Sequence, residues 1–374
     1  GGPNGGDDHI GKILRWIDGD GWSTEAANAR WSLAGIWGSS DLDIWAVGGT
    51  GTLLRRNESG WLADSSGTTA ALDRLWGSDA NNVWALSPDR ILKWNGSAWK
   101  SQYASTDQML SDIWGSDARN AWVVGSKSQV LKWNGTGWRT QETPIADAEY
   151  SVVWGTDAAN VWIFGDAPGG SGIKSVIGKW DGTTWVPQPS HPDPTTDAAW
   201  GSDGSNIWAV FNAQDQDTHV YTSRIWKWDG SAWTLQRVQE NEYLSAIWGT
   251  GTQDVWAVGA YVEGTDLYGR ILRWNGSAWQ PESIGAVGPL SAVWGSDRSN
   301  VWVTGAPQLT VYDEAPILYW NGSSWRLEAS GVQRGLRAVW GSDAYHVWVA
   351  GMYGAILQAA RPARQYLPVI GAPR

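Results

Sequence analysis

The side chains with the most chemistry to offer fall in four stretches: Gly165 to Val176, Phe211 to Arg224, Gly259 to Arg270 and Gly305 to Pro316. They hold Asp166; Asp215, Asp217, His219 and Tyr221; Tyr261, Glu263, Asp266 and Tyr268; and Tyr312, Asp313 and Glu314. Aromatic faces beside carboxylates suit sugar rings, whose C–H faces stack while acids accept hydrogen bonds from hydroxyls. The run Asp215-Gln216-Asp217-Thr218-His219 offers donors for calcium, but it lacks the glycine and the distal glutamate of an EF-hand loop. It reads as a solvated turn, and no cofactor is expected. Asp313 and Glu314 supply the two acids that glycoside hydrolysis requires, yet neighbours on a strand point to opposite faces. No residue is marked as a general acid, and no nucleophile elbow, phosphate loop or His-Glu-x-x-His helix is present, so no catalytic residue is assigned.

Composition narrows the remaining classes. The 374 residues include no cysteine, which removes disulfides, thiolate metal sites and cysteine nucleophiles. With 38 acidic against 27 basic residues the net charge is -11, the wrong sign for a large nucleic-acid footprint. No apolar run approaches the roughly 18 residues of a membrane span. The chain begins at Gly1 without an apolar leader, which reads as a mature product whose targeting segment is not visible. Composition leaves the oligomeric state open.

The elements that position the candidate stretches come from an internal repeat. A Trp-Gly pair recurs at Trp37, Trp76, Trp114, Trp154, Trp200, Trp248, Trp294 and Trp340. Each copy carries four strand-like pieces, here called a to d: a ends in Trp-Gly, b resembles Asn-Val-Trp-Ala-Val-Gly, c resembles Ile-Leu-Lys-Trp, and d opens with the Trp of Asn-Gly-Ser-Ala-Trp. Alternation, β-branched residues and bounding turn residues favour strands over helices. The Trp of a and that of b are 8 residues apart in every copy, whereas b to c grows from 10 or 11 in the first three copies to 18 or 20 in the next four. The variable b–c connections are the four stretches above.

Turn chemistry predicts the pairing. Asn95-Gly96 fits a two-residue type I′ turn that pairs Trp94 with Ser97 and sets Trp99 opposite Leu92. A four-residue a–b loop begun by Asp79 would set Gly77 opposite Trp84, giving that indole room. Of 33 Trp residues, 31 occupy the a, b, c and d positions and read as packing; Trp31 and Trp226 do not, and Trp31 is expected to be exposed. Arg56 and Glu58 replace the usual Trp and Gly of the first c–d unit, marking a local charge pair or a partner contact.

Sheets with Trp on both faces must bury both, which four-stranded meanders stacked around an axis achieve. The expectation is an all-β protein: an eight-bladed β-propeller of four-stranded antiparallel blades, closed by joining N-terminal strands c and d, residues 12–22, to C-terminal strands a and b, residues 336–351. Gly354 to Ala360 also fits strand c, so either it or residues 13–16 supplies that strand. The domain reading is a flexible segment at 1–10, one propeller at 11–360 and a tail at 361–374. Strand parity puts a–b and c–d turns on one face and the variable b–c and d–a connections on the other, with half of that second face raised.

The segments Trp-Gly-Ser-Asp, Val-Trp-Ala-Val-Gly and Ile-Leu-Lys-Trp-Asn-Gly-Ser-Ala-Trp resemble the Trp-rich, Kelch-like or BNR-like propeller repeats of secreted and surface proteins of bacteria. The c–d turn is similar to the Asp-box of sialidases, although Asp181-Gly-Thr-Thr-Trp185 is one residue shorter between acid and Trp. The resemblance implies a bladed fold and an extracellular or cell-surface location, with little chemistry, since most members have no defined activity. The functional expectation is a non-catalytic module binding a glycan or a surface protein through the long b–c connections. Alternatives are a component of a surface layer or appendage, and a sialidase-like hydrolase.

Overall fold

The computed structural model describes residues 31–143, 145–170, 172–215, 217–308, 314–352, and, as backbone strands only, 13–17, 21–25 and 356–359. The chain is a β-propeller with seven four-stranded antiparallel blades, not eight. Blade 1 begins with strand a at Leu33–Ser40 and ends at Gly60–Ala63. Blade 2 is representative: Arg74–Asp79, Asn82–Ser87, Arg90–Trp94 and Trp99–Ala104, hydrogen-bonded in the order a, b, c, d. Blades 3 to 7 start at Leu110, Glu149, Ala198, Glu242 and Leu290.

The sheet at the seam departs from the expected form. Leu336–Gly341 and Val347–Gly351 are its strands a and b, Ile356–Ala359 takes the place of strand c, and Ile13–Ile17 and Gly21–Glu25 are added outside it. This gives five strands, and Ile13–Ile17 runs parallel to Ile356–Ala359. The physical reason is that both are strand-c sequences and run the same way. Two claimants for one place lie side by side and pair, so the seam is mixed rather than a four-stranded antiparallel blade.

Strand a is innermost, since strands a of consecutive blades touch around the axis and Leu336–Gly341 touches both blade 7 and blade 1. Strand b is the buried layer, and Trp45, Trp84, Trp122 and their equivalents are the largest fully buried side chains. Its burial follows from lying between two paired strands and two neighbouring blades.

Two pairing expectations are corrected. The a–b turn has two residues, Ala80 and Asn81, between paired Asp79 and Asn82, with a bulge at Ser78. Trp76 therefore pairs with Trp84 and Gly77 with Val83. Gly77 instead faces the Trp37 indole of blade 1, and the same contact joins each copy to the next until Trp340 closes the series on Gly38. The c–d connection has four residues, because Trp94 pairs with Trp99. Asn95 Oδ1 holds it, accepting from the N–H groups of Ser97 at 3.1 Å and Ala98 at 3.0 Å, while Gly96 takes φ +93°. The short side chain satisfies the turn's donors itself, which makes the wider loop as stable a choice as type I′. Trp94 and Trp99 share a face, as expected.

The conserved pieces of strand c also acquire physical roles. Lys93 Nζ lies 5.0 Å from the Trp84 ring and 5.8 Å from Trp133 of blade 3, a cation between indoles of adjacent blades. Burial pushes its pKa down, against the pull of Asp79. Trp94 Nε1 donates to Ala80 O at 3.2 Å, tying strand c to the a–b turn. At the odd position in blade 1, the Arg56 guanidinium donates to Asp41 O, the equivalent carbonyl, and lies over the Trp348 ring at 6.0 Å. A planar cation thus takes over both the hydrogen bond and the packing of the absent indole. Trp31 is 53% exposed. No helix among the described residues is long and apolar enough to cross a membrane.

Candidate functional site

The raised half of the b–c face is built of β-ribbon. In blade 4 strands b and c run to Asn160–Gly169 and Gly172–Trp180, in blade 5 to Asn206–Gln214 and Tyr221–Trp228, and in blade 6 to Asp254–Glu263 and Asp266–Trp274. The ladders continue unbroken to Gly169–Gly172, Gln214–Tyr221 and Glu263–Asp266. In these three blades the inserted residues extend existing strands, closing through two residues in blades 4 and 6 and through six in blade 5, whereas in blade 7 the strands stop at Gly305 and resume at Ile317.

The ribbons of blades 5 and 6 are locked together. Strand d of blade 5, Trp233–Glu240, reverses into strand a of blade 6, Glu242–Gly251, through Asn241 alone, at φ +57°. Glu242 is 1% exposed and accepts from Ser223 Oγ at 2.6 Å and from the Arg237 guanidinium, and Arg270 Nε lies 3.2 Å from its other oxygen. Arg270 in turn lies over the Tyr261 ring at 4.0 Å. One buried carboxylate therefore fastens three strands from two blades into one wall on the b–c face.

The expected site residues are dispersed along this wall. Asp166 pairs with Glu149 and Ser175 in blade 4, where burial and then Glu149 raise its pKa. Asp215 spends Oδ1 on its own turn, accepting from Thr218 N at 2.7 Å, Thr218 Oγ1 at 2.8 Å and Asp217 N at 3.1 Å, which holds its pKa below the usual range. His219 takes φ +58° in that turn, and Asp217 is exposed on it. Tyr261 and Tyr268 are a cross-strand pair, rings 5.6 Å apart, with Glu263 and Asp266 at the ribbon tip. The Tyr268 hydroxyl donates to Asp266 at 3.3 Å, and Asp266 raises its pKa. Glu314 accepts from Gly331 N at 2.8 Å. Tyr312 and Asp313 lie outside the described residues. Among the described residues no three His, Asp or Glu side chains are grouped to hold a metal ion.

A second set of residues, not expected from the sequence, surrounds the channel mouth at the foot of the wall. Strand a carries a bulge three residues before the Trp of Trp-Gly, as between Leu110 and Asp112, where Ser111 has no partner of its own. The position three before that Trp is Ala34, Asp73, Ser111, Ser151, Asp197, Ser245, Ser291 and Arg337, polar in seven of eight copies; six of these are bulged, while Asp73 and Asp197 immediately precede their strands. Ala34, Asp73, Ser111, Ser291 and Arg337 line one cavity of about 450 Å³ together with Arg74 and Ser87. Arg74 reaches Asp112 of blade 3 at 3.6 Å, and Asp112 accepts Val153 N of blade 4 at 3.0 Å; burial nonetheless raises its pKa.

The opposite side of the mouth belongs to blades 5 and 6. Asp197 Oδ2 accepts from Asn212 N at 2.7 Å and from its side-chain amide at 3.1 Å. Asn212 is itself held by Leu244, donating to its O and accepting from its N, both at 2.9 Å. Tyr243, next to Leu244, meets Tyr221 edge to face, rings 5.8 Å apart at 82°. Burial, Asp197 and Tyr221 together raise the Tyr243 pKa. Of the expected residues only Tyr221 joins this group. The usable signal for the rest was the polar residue at a fixed offset before seven of the eight Trp-Gly pairs.

The fold is similar to three solved propellers. A structure titled "YCF48 bound to D1 peptide" matches at TM-score 0.57 and 13% identity, over 93% of this chain and 100% of that one. The Dos1 propeller matches at TM-score 0.63 and 10% identity, over 88% of this chain and 95% of the other. Sqt1 of Chaetomium thermophilum, bound to the N-terminus of ribosomal protein L10, matches at 0.64 and 10%, over 88% and 97%. At these identities the likeness shows the fold. No protein-family model and no curated protein matches the sequence, so the Kelch-like or BNR-like assignment rests on the repeat motifs alone.

Proposed function

We propose that the protein is a non-catalytic binding propeller that holds an extended protein segment across the channel mouth, against the wall of blades 4 to 6. The observation that carries this is the mouth itself: Asp73, Arg74, Ser87, Ser111, Ser291 and Arg337 bring an acid, guanidinium groups and hydroxyls to one cavity, with tyrosines on the wall across from it. A peptide brings amides and charges of both signs, which such a ring can match. A glycan brings mainly hydroxyls and needs an open ring face, and the Tyr261 face is already covered by Arg270. The peptide-bound YCF48 and Sqt1 structures support a protein segment as the ligand class. The resemblance of the repeats to those of exported bacterial proteins supports a place at or beyond the cell surface.

The test is to pan the full chain against a random peptide library and, in parallel, a glycan array. Peptides whose binding is lost on Arg337→Ser are the expected result. Reproducible glycan binding with no peptide recovered overturns it.

A further inference from the structure

We propose that Tyr221, Tyr243 and Asp197 form a receptor for one cationic side chain, Lys or Arg, of the bound segment. The inference rests on the peptide-binding reading of the mouth and adds its charge register. The two phenol rings meet edge to face, at 82° and 5.8 Å apart, and are 38% and 40% exposed, so they form a corner that solvent reaches. Ring faces carry negative potential and attract ammonium or guanidinium groups. A sugar would need a single flat platform, which a perpendicular corner does not provide.

The carboxylate belonging to this corner is fixed in advance. Asp197 is exposed at the mouth, and both hydrogen bonds from Asn212 fall on Oδ2, leaving Oδ1 without a described partner. Asn212 is bonded to the backbone of Leu244, adjacent to Tyr243, so acid and ring sit on one frame spanning blades 5 and 6. Two neighbouring acids are already paired: Glu242 with Arg237 and Arg270, and Asp193 with Arg224 at 3.1 Å. Among the described residues Asp197 has no cation partner, and burial raises its pKa against the two hydrogen bonds from Asn212. An acid held in place near Tyr243, without a described counter-ion, is complementary to a cation from outside. Arg74 and Arg337 stand on the far side of the mouth, on the strands flanking strand a of blade 1, which orients a segment carrying both signs.

The experiment uses the peptides recovered on the full chain, with each Lys replaced by norleucine and each Arg by citrulline. One basic position is expected whose replacement weakens binding to the native protein about tenfold, with less than about a twofold effect on the Tyr243→Leu and Asp197→Asn proteins. Peptides that bind the mouth with no such position, or a penalty that persists on both variants, overturn the inference while leaving the peptide-binding reading intact. Failure to recover any peptide overturns that reading instead. Titration with tetramethylammonium, followed through tyrosine ring 13C shifts, tests the corner without any peptide. Shifts at Tyr221 and Tyr243 that vanish in Asp197→Asn are expected, and unmoved rings overturn the cation receptor.

Discussion

The indole of Trp37 lies against Gly77 of the next blade so closely that a Cβ on Gly77 would sit 2.6 Å from its Cη2. Real Cβ atoms do not approach that near, and the indole is wedged between blades, so the pair has little room to relax. Gly77→Ala is expected to destabilise by about 1–3 kcal/mol in chemical denaturation, the range for overpacking a filled core. Gly137→Ala is the control. Nothing lies within 4 Å of a Cβ there, and other copies already carry Ala at that turn position, as at Ala98. It should leave the midpoint unchanged or raise it.

Glu242 gives a different result from a surface ion pair. Its carboxylate is fully buried, and removing it strands Arg237 and Arg270 beside Ser223. Glu242→Ala is expected to cost about 3–5 kcal/mol, the usual penalty for breaking a buried pair from one side. Limited proteolysis should then cut first in the ribbons of blades 5 and 6, because those are what Glu242 fastens.

His191 makes stability depend on pH. It is 2% exposed, stacked on Trp226 at 13°, and bonded through Nε2 to Thr196 Oγ1 at 2.9 Å. Burial lowers its pKa to about 4, despite Asp193, against 6.5 for the free side chain. The unfolded chain takes up a proton that the folded one refuses, so this contribution is complete above pH about 6.5 and is lost as pH falls toward 4. The full amplitude is about 3 kcal/mol. Urea unfolding of native protein and His191→Phe at pH 7 and pH 4.5 should show the native protein losing more stability, with the difference isolating His191 from the carboxylates.

Arg56 is expected to be replaceable by the residue it stands for. In Arg56→Trp the indole N–H regains the Asp41 carbonyl in the manner of Trp94 and Ala80, and the melting temperature should stay close to native. Arg56→Ala removes both that bond and the cover over Trp348, for a loss of about 1–3 kcal/mol.

The corner formed by Tyr221 and Tyr243 illustrates why the site was only half legible. Tyr221 stood out because it is an aromatic in a long insertion, yet Tyr243 and Asp197 lie in or beside the regular repeat, and Asn212, though in the same insertion as Tyr221, carries no local mark of function. Asp215 did carry such a mark, and the turn consumes its carboxylate. An aspartate with three donors within three residues satisfies those donors first, and sequence alone does not separate a turn acid from a ligand acid.

Much of the architecture follows from local sequence. Period-two alternation and turn residues at fixed offsets determined the strands, their order within a blade and the face that carries the variable connections, because these depend on interactions spanning a few residues. The tertiary structure decided what depends on contacts between copies. Whether Gly77 makes room for Trp84 or Trp37 turns on one bulge, and the competition of residues 13–17 and 356–359 for one strand position left seven regular blades and a mixed seam. The channel mouth also depends on tertiary structure, because stacking the copies around the axis brings side chains more than a hundred residues apart, such as the bulge residues Ser111 and Ser291, to the same cavity.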